Sequence, residues 1–450
     1  MASSIKSSVL NMTEGKPLSL LVRFSLPMLL GNLFQQLYNL ADSVIVGRLV
    51  GSDALASVGA TNSITFLFFA LCNGIGSGGG IITSQYFGKG DESDVKKCIA
   101  NTGYIMLVFP LCVGIAALLL SRPILMLLGT PQEIMPDALS YLRIMCIGTV
   151  FVSLYNYASS MMRALGDSKT PLFFLVFSCF FNIGLDFLFV AGLDTGVTGA
   201  AIATIISQFI SGISCMIFAL KTNSYFKFEK ADLSFEKKIT VSVIKLGVPL
   251  SLQFGLIAIS CMALQRVVNS FGATAMAAFT ATSRIEQLIH QPYQTLGSSL
   301  STFTGQNYGA RKIDRVVKGY HVGFAIMLIF SVLMLPFMQF FGDNIMMLFV
   351  KEPEVIAMGG QALRITSFFY VFLGVIYVIR GVLNGLGDAI FALLNGIVEV
   401  IGRFVAPILL TMVATIGVWG IWWSVGVVWF LSGLTAWLRY LQYTRKVFKA

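Results

Sequence analysis

The chain has 450 residues, of which 56% are hydrophobic and only 12% charged, and it carries a formal net charge of +10. That charged share is about half of what a soluble domain carries, so composition excludes a water-soluble globular protein. The basic residues do not gather on one face, so the positive balance reads as a signal for topology and lipid headgroups, and no nucleic-acid partner is expected.

The opening stretch MASSIKSSVLNMTEGKP has no apolar core and no small-residue cleavage pattern, so the first helix is expected to serve as its own insertion signal. Twelve apolar runs follow, beginning near Leu20, Ala54, Ala100, Ile134, Pro171, Gly196, Val241, Ala275, Tyr320, Val355, Ile390 and Gly417. Each is continuous and near the roughly 20 residues that a bilayer core about 30 Å thick requires. A membrane β-barrel would instead show alternating segments of about ten residues. The runs predict an all-α integral membrane protein with twelve transmembrane helices. Basic residues such as Lys96, Lys97, Lys237, Lys238, Arg311, Lys312 and Arg445 fall on one side of this arrangement, whereas Arg48, Arg122, Arg266 and Lys351 mark the other. Positive residues stay cytoplasmic, which predicts a plasma-membrane protein with both termini in the cytoplasm. The cysteines (72, 98, 112, 146, 179, 215 and 261) are scattered without a CxxC pair, so neither a disulfide framework nor a zinc site is expected.

The sequence repeats itself. TSQYFGKGD, Thr83 to Asp91, returns as TGQNYGARK, Thr304 to Lys312. At the same offset LGD at Leu165–Asp167 returns at Leu386–Asp388, and Gly196 and Gly199 return as Gly417 and Gly420; one residue further along, Pro27 pairs with Pro249. The halves are expected to be an N-lobe over 15–220 and a C-lobe over 240–445, joined by a cytoplasmic linker over 221–239. Six helices per half is an even number, so the halves insert in the same orientation as parallel repeats around a central cleft. The recurring phrase reads as a structural turn.

Polar residues inside the runs mark candidate sites. In the first helix Asn32, Gln35, Gln36, Asn39, Asp42 and Ser43 recur at spacings of three and four, forming one stripe. An aspartate near a helix centre costs about 2.5–3.5 kcal/mol on insertion scales and needs a polar partner or a proton. The fifth helix places Ser178, Asn182 and Asp186 on one face, and Thr204 follows in the sixth. In the second half, the eighth helix carries Ser283, Glu286, His290 and Gln294 on one face, with Gln287 and Gln291 beside them. The eleventh run carries Asn395, Glu399 and Arg403; Glu399 and Arg403 are spaced for an intrahelical ion pair, with cavity lining as the alternative. Glu286 suits either a positively charged ligand or a structural network. Tyr38, Tyr155, Tyr370 and Tyr377 are aromatic cavity candidates, since rings stack on and attract lipophilic cations. With two histidines, no HExxH and no nucleophile motif, an enzyme is not expected.

SQYFGKG and GQNYGAR, MRALGDSKTP from Met162 to Pro171, and NIGLDFLFVAGL from Asn182 to Leu193 resemble the MATE (multidrug and toxic compound extrusion) family, in its bacterial DinF-like and NorM-like branches of the MOP flippase superfamily. The resemblance spans essentially the whole chain. It implies an antiporter that exports cationic amphipathic compounds by alternating access, with H⁺ or Na⁺ as coupling ion and no cofactor; two self-contained lobes make a monomer the expectation. It further implies that Asp42, Asn182, Asp186 and Thr204 hold the coupling cation; from their oxygens, Asp42 and Asp186 suit either a proton or, as ligands, a Na⁺ ion. The substrate cavity is expected from Gln36, Tyr38, Asn39, Tyr155, Glu286, His290, Tyr370, Tyr377 and Glu399. Some relatives place a glutamate on the seventh helix, where this chain has Leu264 opposite Asp42 and Cys261 opposite Asn39. The rival reading within the superfamily is a flippase for lipids or lipid-linked oligosaccharides, or an exporter dedicated to one metabolite.

Overall fold

The structure is a computed structural model that describes residues 9–447; residues 1–8 and the side chain of Ser43, the last member of the first-helix stripe, lie outside the described residues. It is helical throughout. The helices are α1 Pro17–Leu49, α2 Ser52–Lys89, α3 Glu92–Leu127, α4 Met135–Ala164, α5 Lys169–Asp186, α6 Gly196–Thr222, α7 Lys237–Asn269, α8 Ala273–Gly309, α9 Ile313–Met346, α10 Pro353–Ser367, α11 Tyr370–Leu386, α12 Ala389–Met412 and α13 Gly420–Val447.

Ten of these are long and apolar enough to cross a membrane, or eleven when α10 and α11, bent by 52° at a short break, count as one span. The helix left out is α8. At 37 residues it is about 55 Å long, so length is no obstacle; its polar face of Glu286, His290 and glutamines lowers its mean hydropathy. The break after Ser367 also has a local cause. Gln339 of α9 donates to Arg364 O and Ser367 Oγ, both at 2.9 Å, and Arg364 Nε donates back to Gln339 O at 3.1 Å. A side chain inserted into the helical ladder bends a helix where no proline is present.

The chain divides into two compact units. The first comprises residues 1–11 and 23–251, the second residues 12–22 and 252–450. In the first unit α4 packs against α2, α3 and α6, and α5 lies on α6. The early part of α7 joins this unit through a seam of small residues. A methyl group added to Gly78 would come within 2.6 Å of the Gly247 backbone nitrogen, and Ser251 Oγ donates to Leu71 O at 2.6 Å. Small residues let helices approach closely in lipid, where apolar contact alone offers no preference for a neighbour. In the second unit α11 packs on α8, α9 and α13, and α12 lies along α13.

The repeated LGD turn has the same construction twice. Gly166 and Gly387 take left-handed backbone at φ 88° and 92°, a region favourable to glycine. The aspartate that follows then caps the next helix. Asp167 Oδ1 accepts from Lys169 N and Thr170 N at 3.0 Å each, and Asp388 Oδ1 accepts from Phe391 N at 3.4 Å. Asp388 also receives a two-pronged contact from Arg439, at 2.8 and 3.1 Å.

Candidate functional site

Each unit builds its own polar cluster. In the first, the α1 stripe presents Asp42, and its carboxyl lies within hydrogen-bonding reach of that of Asp186, at the end of α5. Such a bond exists only while one of the two carboxyls holds a proton. Asp186 is fully buried and Asn182, one turn earlier on α5, is 1% exposed. Tyr38 joins them from α1, its hydroxyl 3.3 Å from Thr204 Oγ1 on α6. Asp42 Oδ1 is buried with no hydrogen-bond partner.

Two features here escape sequence reading. Tyr141 of α4, buried, sits in electrostatic range of both carboxyls; its position in an ordinary apolar run gives no signal. The helix also changes character at the site, because α5 continues past Asp186 as a π-helical turn over Phe187–Gly192. Such wide turns are rare and gather at functional sites, and only the backbone reveals them.

Gln36 is half-buried and Asn39 exposed on α1. Tyr155 packs with Phe174, Leu175, Cys179 and Cys215, a cluster that Tyr38 also packs against, and its hydroxyl donates to Pro171 O at 3.0 Å. That contact ties α4 to the start of α5. Ser178, on the Asn182 face, donates to Ser207 O at 3.1 Å and serves α5–α6 packing.

The second unit gathers Glu286, His290, Tyr370, Tyr377 and Glu399 into one region. The His290 ring meets Trp429 and Tyr377 edge-on, with centroids 5.5 and 6.3 Å apart. Tyr370, fully buried at the first residue after the α10–α11 break, lies 6.1 Å from Trp429. Glu286 Oε1 and His290 Nε2 are buried without hydrogen-bond partners. Buried polar atoms of this kind are uncommon in native proteins.

Glu399 is differently placed. Arg403 approaches it at 3.4 Å, the spacing expected along α12, and Arg380 of α11 reaches it from another helix at 3.0 Å. Arg380 also donates to Asn395 Oδ1 at 2.6 Å and lies over the Tyr377 ring at 5.5 Å. Arg403 Nη1 donates to Ser260 Oγ at 2.9 Å. Two arginines therefore share one buried carboxylate, whereas Glu286 meets Thr366 and has Arg403 in electrostatic range. Arg380 and Trp429 have no spacing relation to the polar stripes, so sequence reading passes over them.

Among the described residues no group of three or more His, Cys, Asp or Glu side chains converges as a metal site. The Asp42–Asp186 pair, with hydroxyl and amide oxygens nearby, offers hard oxygen donors suited to a proton or a small monovalent cation. The cysteines are all free.

Comparison with known proteins gives one picture. The MatE family model matches residues 27–188 and 249–415, one stretch in each half. The chain is 31% identical over 432 residues to the probable multidrug resistance protein YpnP of Bacillus subtilis, covering 95% of this chain and 96% of that protein. It is 25% identical over 420 residues to the multidrug export protein MepA of Staphylococcus aureus, covering 93% and 92%. Among solved structures, a MOP superfamily transporter from Pyrococcus furiosus superposes with a TM-score of 0.92 at 23% identity, covering 99% of this chain and all of that one. An outward-facing MATE family multidrug resistance transporter gives the same TM-score, identity and coverage.

Proposed function

Since this chain belongs to the MatE family of multi-pass membrane transporters, we propose that it is a multidrug efflux antiporter, exporting cationic amphipathic compounds in exchange for H⁺ or Na⁺. The observation that carries this reading is the Asp42–Asp186 carboxyl pair, within hydrogen-bonding reach of each other on α1 and α5 inside the apolar spans. Two carboxyls in low dielectric repel when both are charged, and one proton or one Na⁺ between them relieves the repulsion. Loading the pair from the outside neutralises it, and emptying it towards the cytoplasm restores the charge. One charge crossing 100 mV is worth about 2.3 kcal/mol, enough to sustain a useful gradient of exported compound.

The names of the curated relatives, multidrug resistance and multidrug export proteins, support a lipophilic cargo. The aromatic cluster beside His290 and Glu286 suits a cation, with one carboxylate for charge and Tyr377, Trp429 and Tyr370 for ring contact. The sidedness of Lys and Arg supports both termini in the cytoplasm of a cell whose plasma membrane holds the protein. One observation favours a second reading: Arg380 and Arg403 offset the acidic groups of the second cluster, so a cargo that also bears an anionic group, as a lipid-linked compound does, is the alternative.

The test is export of a fluorescent lipophilic cation from proteoliposomes under an imposed ΔpH or Na⁺ gradient, with wild type, Asp42→Asn and Asp186→Asn. Gradient-driven transport that both variants lose supports the antiport reading, and the effective gradient names the ion. Equal transport by all three proteins removes the carboxyl pair from coupling. No dye movement by the wild type under either gradient favours the second reading.

A further inference from the structure

The phrase TGQNYGARK, which neither carboxyl cluster uses, forms a receptor for the N-terminal segment of the chain. Gln306 Oε1 accepts from Met12 N at 2.9 Å, and Asn307 Nδ2 donates to Met12 O at 3.1 Å. Arg315 donates to Met12 O at 3.0 Å and to Gly15 O at 2.9 Å, while Lys312 Nζ donates to Thr13 O at 3.1 Å. Met12, Gln306 and Asn307 are fully buried. The arginine is held in place by its own bond to Asn307 Oδ1 at 2.9 Å and by the Phe303 ring 5.8 Å away. The turn that delivers Lys312 and Arg315 is unusual, since Arg311 adopts φ 57°, whereas its counterpart in the first half is Gly90 at φ 78°. A non-glycine residue there is a strained choice that the surrounding bonds must hold.

The second half has a matching contact. At the offset that pairs Pro27 with Pro249, Met12 corresponds to Ser234. The Ser234 carbonyl accepts from Asn101 Nδ2 at 3.0 Å, and Glu236 N donates to Asn101 Oδ1 at 2.9 Å. Tyr104 secures the neighbouring Leu233 carbonyl at 2.8 Å. The lead-in to each half's first helix is thus grasped by residues of the other half. As a result both helices change unit within their own length: α1 between Val22 and Arg23, and α7 between Ser251 and Leu252. Pro27 and Pro249 lie close to those crossings.

We propose that the Met12–Gly15 clamp is a conformational latch. Closed, it carries the first turns of α1 with the second unit; open, it lets them travel with the unit that holds Asp42. A helix belonging to two bodies must bend or let go when those bodies move. Pro27 removes one backbone hydrogen bond from the bending region, and the clamp decides whether the end lets go. Side-chain bonds to main-chain carbonyls suit this role, because each is nearly exchangeable with a bond to water and so reversible. The inference goes beyond the antiport reading, and only the transport part of its test rests on that reading.

The test compares wild type, Arg315→Gln and the exposed control Lys318→Gln in nanodiscs, by hydrogen exchange over residues 9–16, and in proteoliposomes, by turnover. The latch predicts that these amides exchange by local opening, faster than global unfolding allows. Arg315→Gln raises that exchange at least tenfold and changes turnover several-fold with an unchanged melting temperature, whereas Lys318→Gln behaves as wild type. Exchange of residues 9–16 only at the rate of global unfolding overturns the proposal. So does wild-type turnover in an Arg315→Gln protein whose segment has been freed, because the clamp is then a passive staple. If the wild type transports no cation, the antiport reading falls and the exchange measurement alone decides the latch.

Discussion

Arg380 reaches from α11 to Glu399 on α12 at 3.0 Å, and the two side chains are 11% and 7% exposed. Removing one partner of such a buried pair leaves a charge in low dielectric, at a cost of about 3–5 kcal/mol. Arg380→Met is therefore expected to lower the melting temperature in detergent substantially. Glu399 keeps Arg403 at 3.4 Å in that variant, so adding Glu399→Gln is expected to lower the melting temperature further, because Arg403 is then buried without a carboxylate. Equal melting temperatures for the single and double variants would show that the remaining Arg403–Glu399 contact adds little.

Glu286 is expected to act on ligand charge. Glu286→Gln keeps the shape and removes the charge, so affinity for a singly cationic lipophilic dye should fall about tenfold, near 1.4 kcal/mol. Affinity for a neutral analogue of the same size should stay as it was. Fluorescence binding titrations separate the two, and an equal loss for both ligands would assign Glu286 to the architecture.

Pro27 should matter for rate more than for stability. A proline in a helix interior costs roughly 3 kcal/mol, so its presence in α1 favours a helix that can bend there. Pro27→Ala is expected to slow gradient-driven export several-fold while the protein stays folded. Unchanged turnover with unchanged ion dependence would remove bending at Pro27 from the transport cycle.

The two LGD turns should differ in cost. Asp167→Ala loses caps on α5 and is expected to destabilise by about 0.5–2 kcal/mol. Asp388→Ala loses its cap and also strands Arg439, so its melting temperature should fall further. The reverse order would show that the Arg439 contact adds little.

The sequence by itself determined the membrane class, the helical architecture and the family, because each rests on local statistics: run length, polar spacing and repeated phrases. It also singled out Asp42 and Asp186, since an aspartate inside an apolar run is conspicuous wherever the chain goes. The paired contact between them was decided by the tertiary structure, as were the placement of Tyr141 beside them and of Arg380 beside Glu399. Tyr155 shows the same limit: only packing brings its hydroxyl to the Pro171 carbonyl. The break between α10 and α11 and the π-helical turn after Asp186 likewise depend on hydrogen bonds that no residue spacing records. Local pattern fixes which residues are costly to bury in lipid; which partner offsets that cost depends on helices brought together from distant parts of the chain.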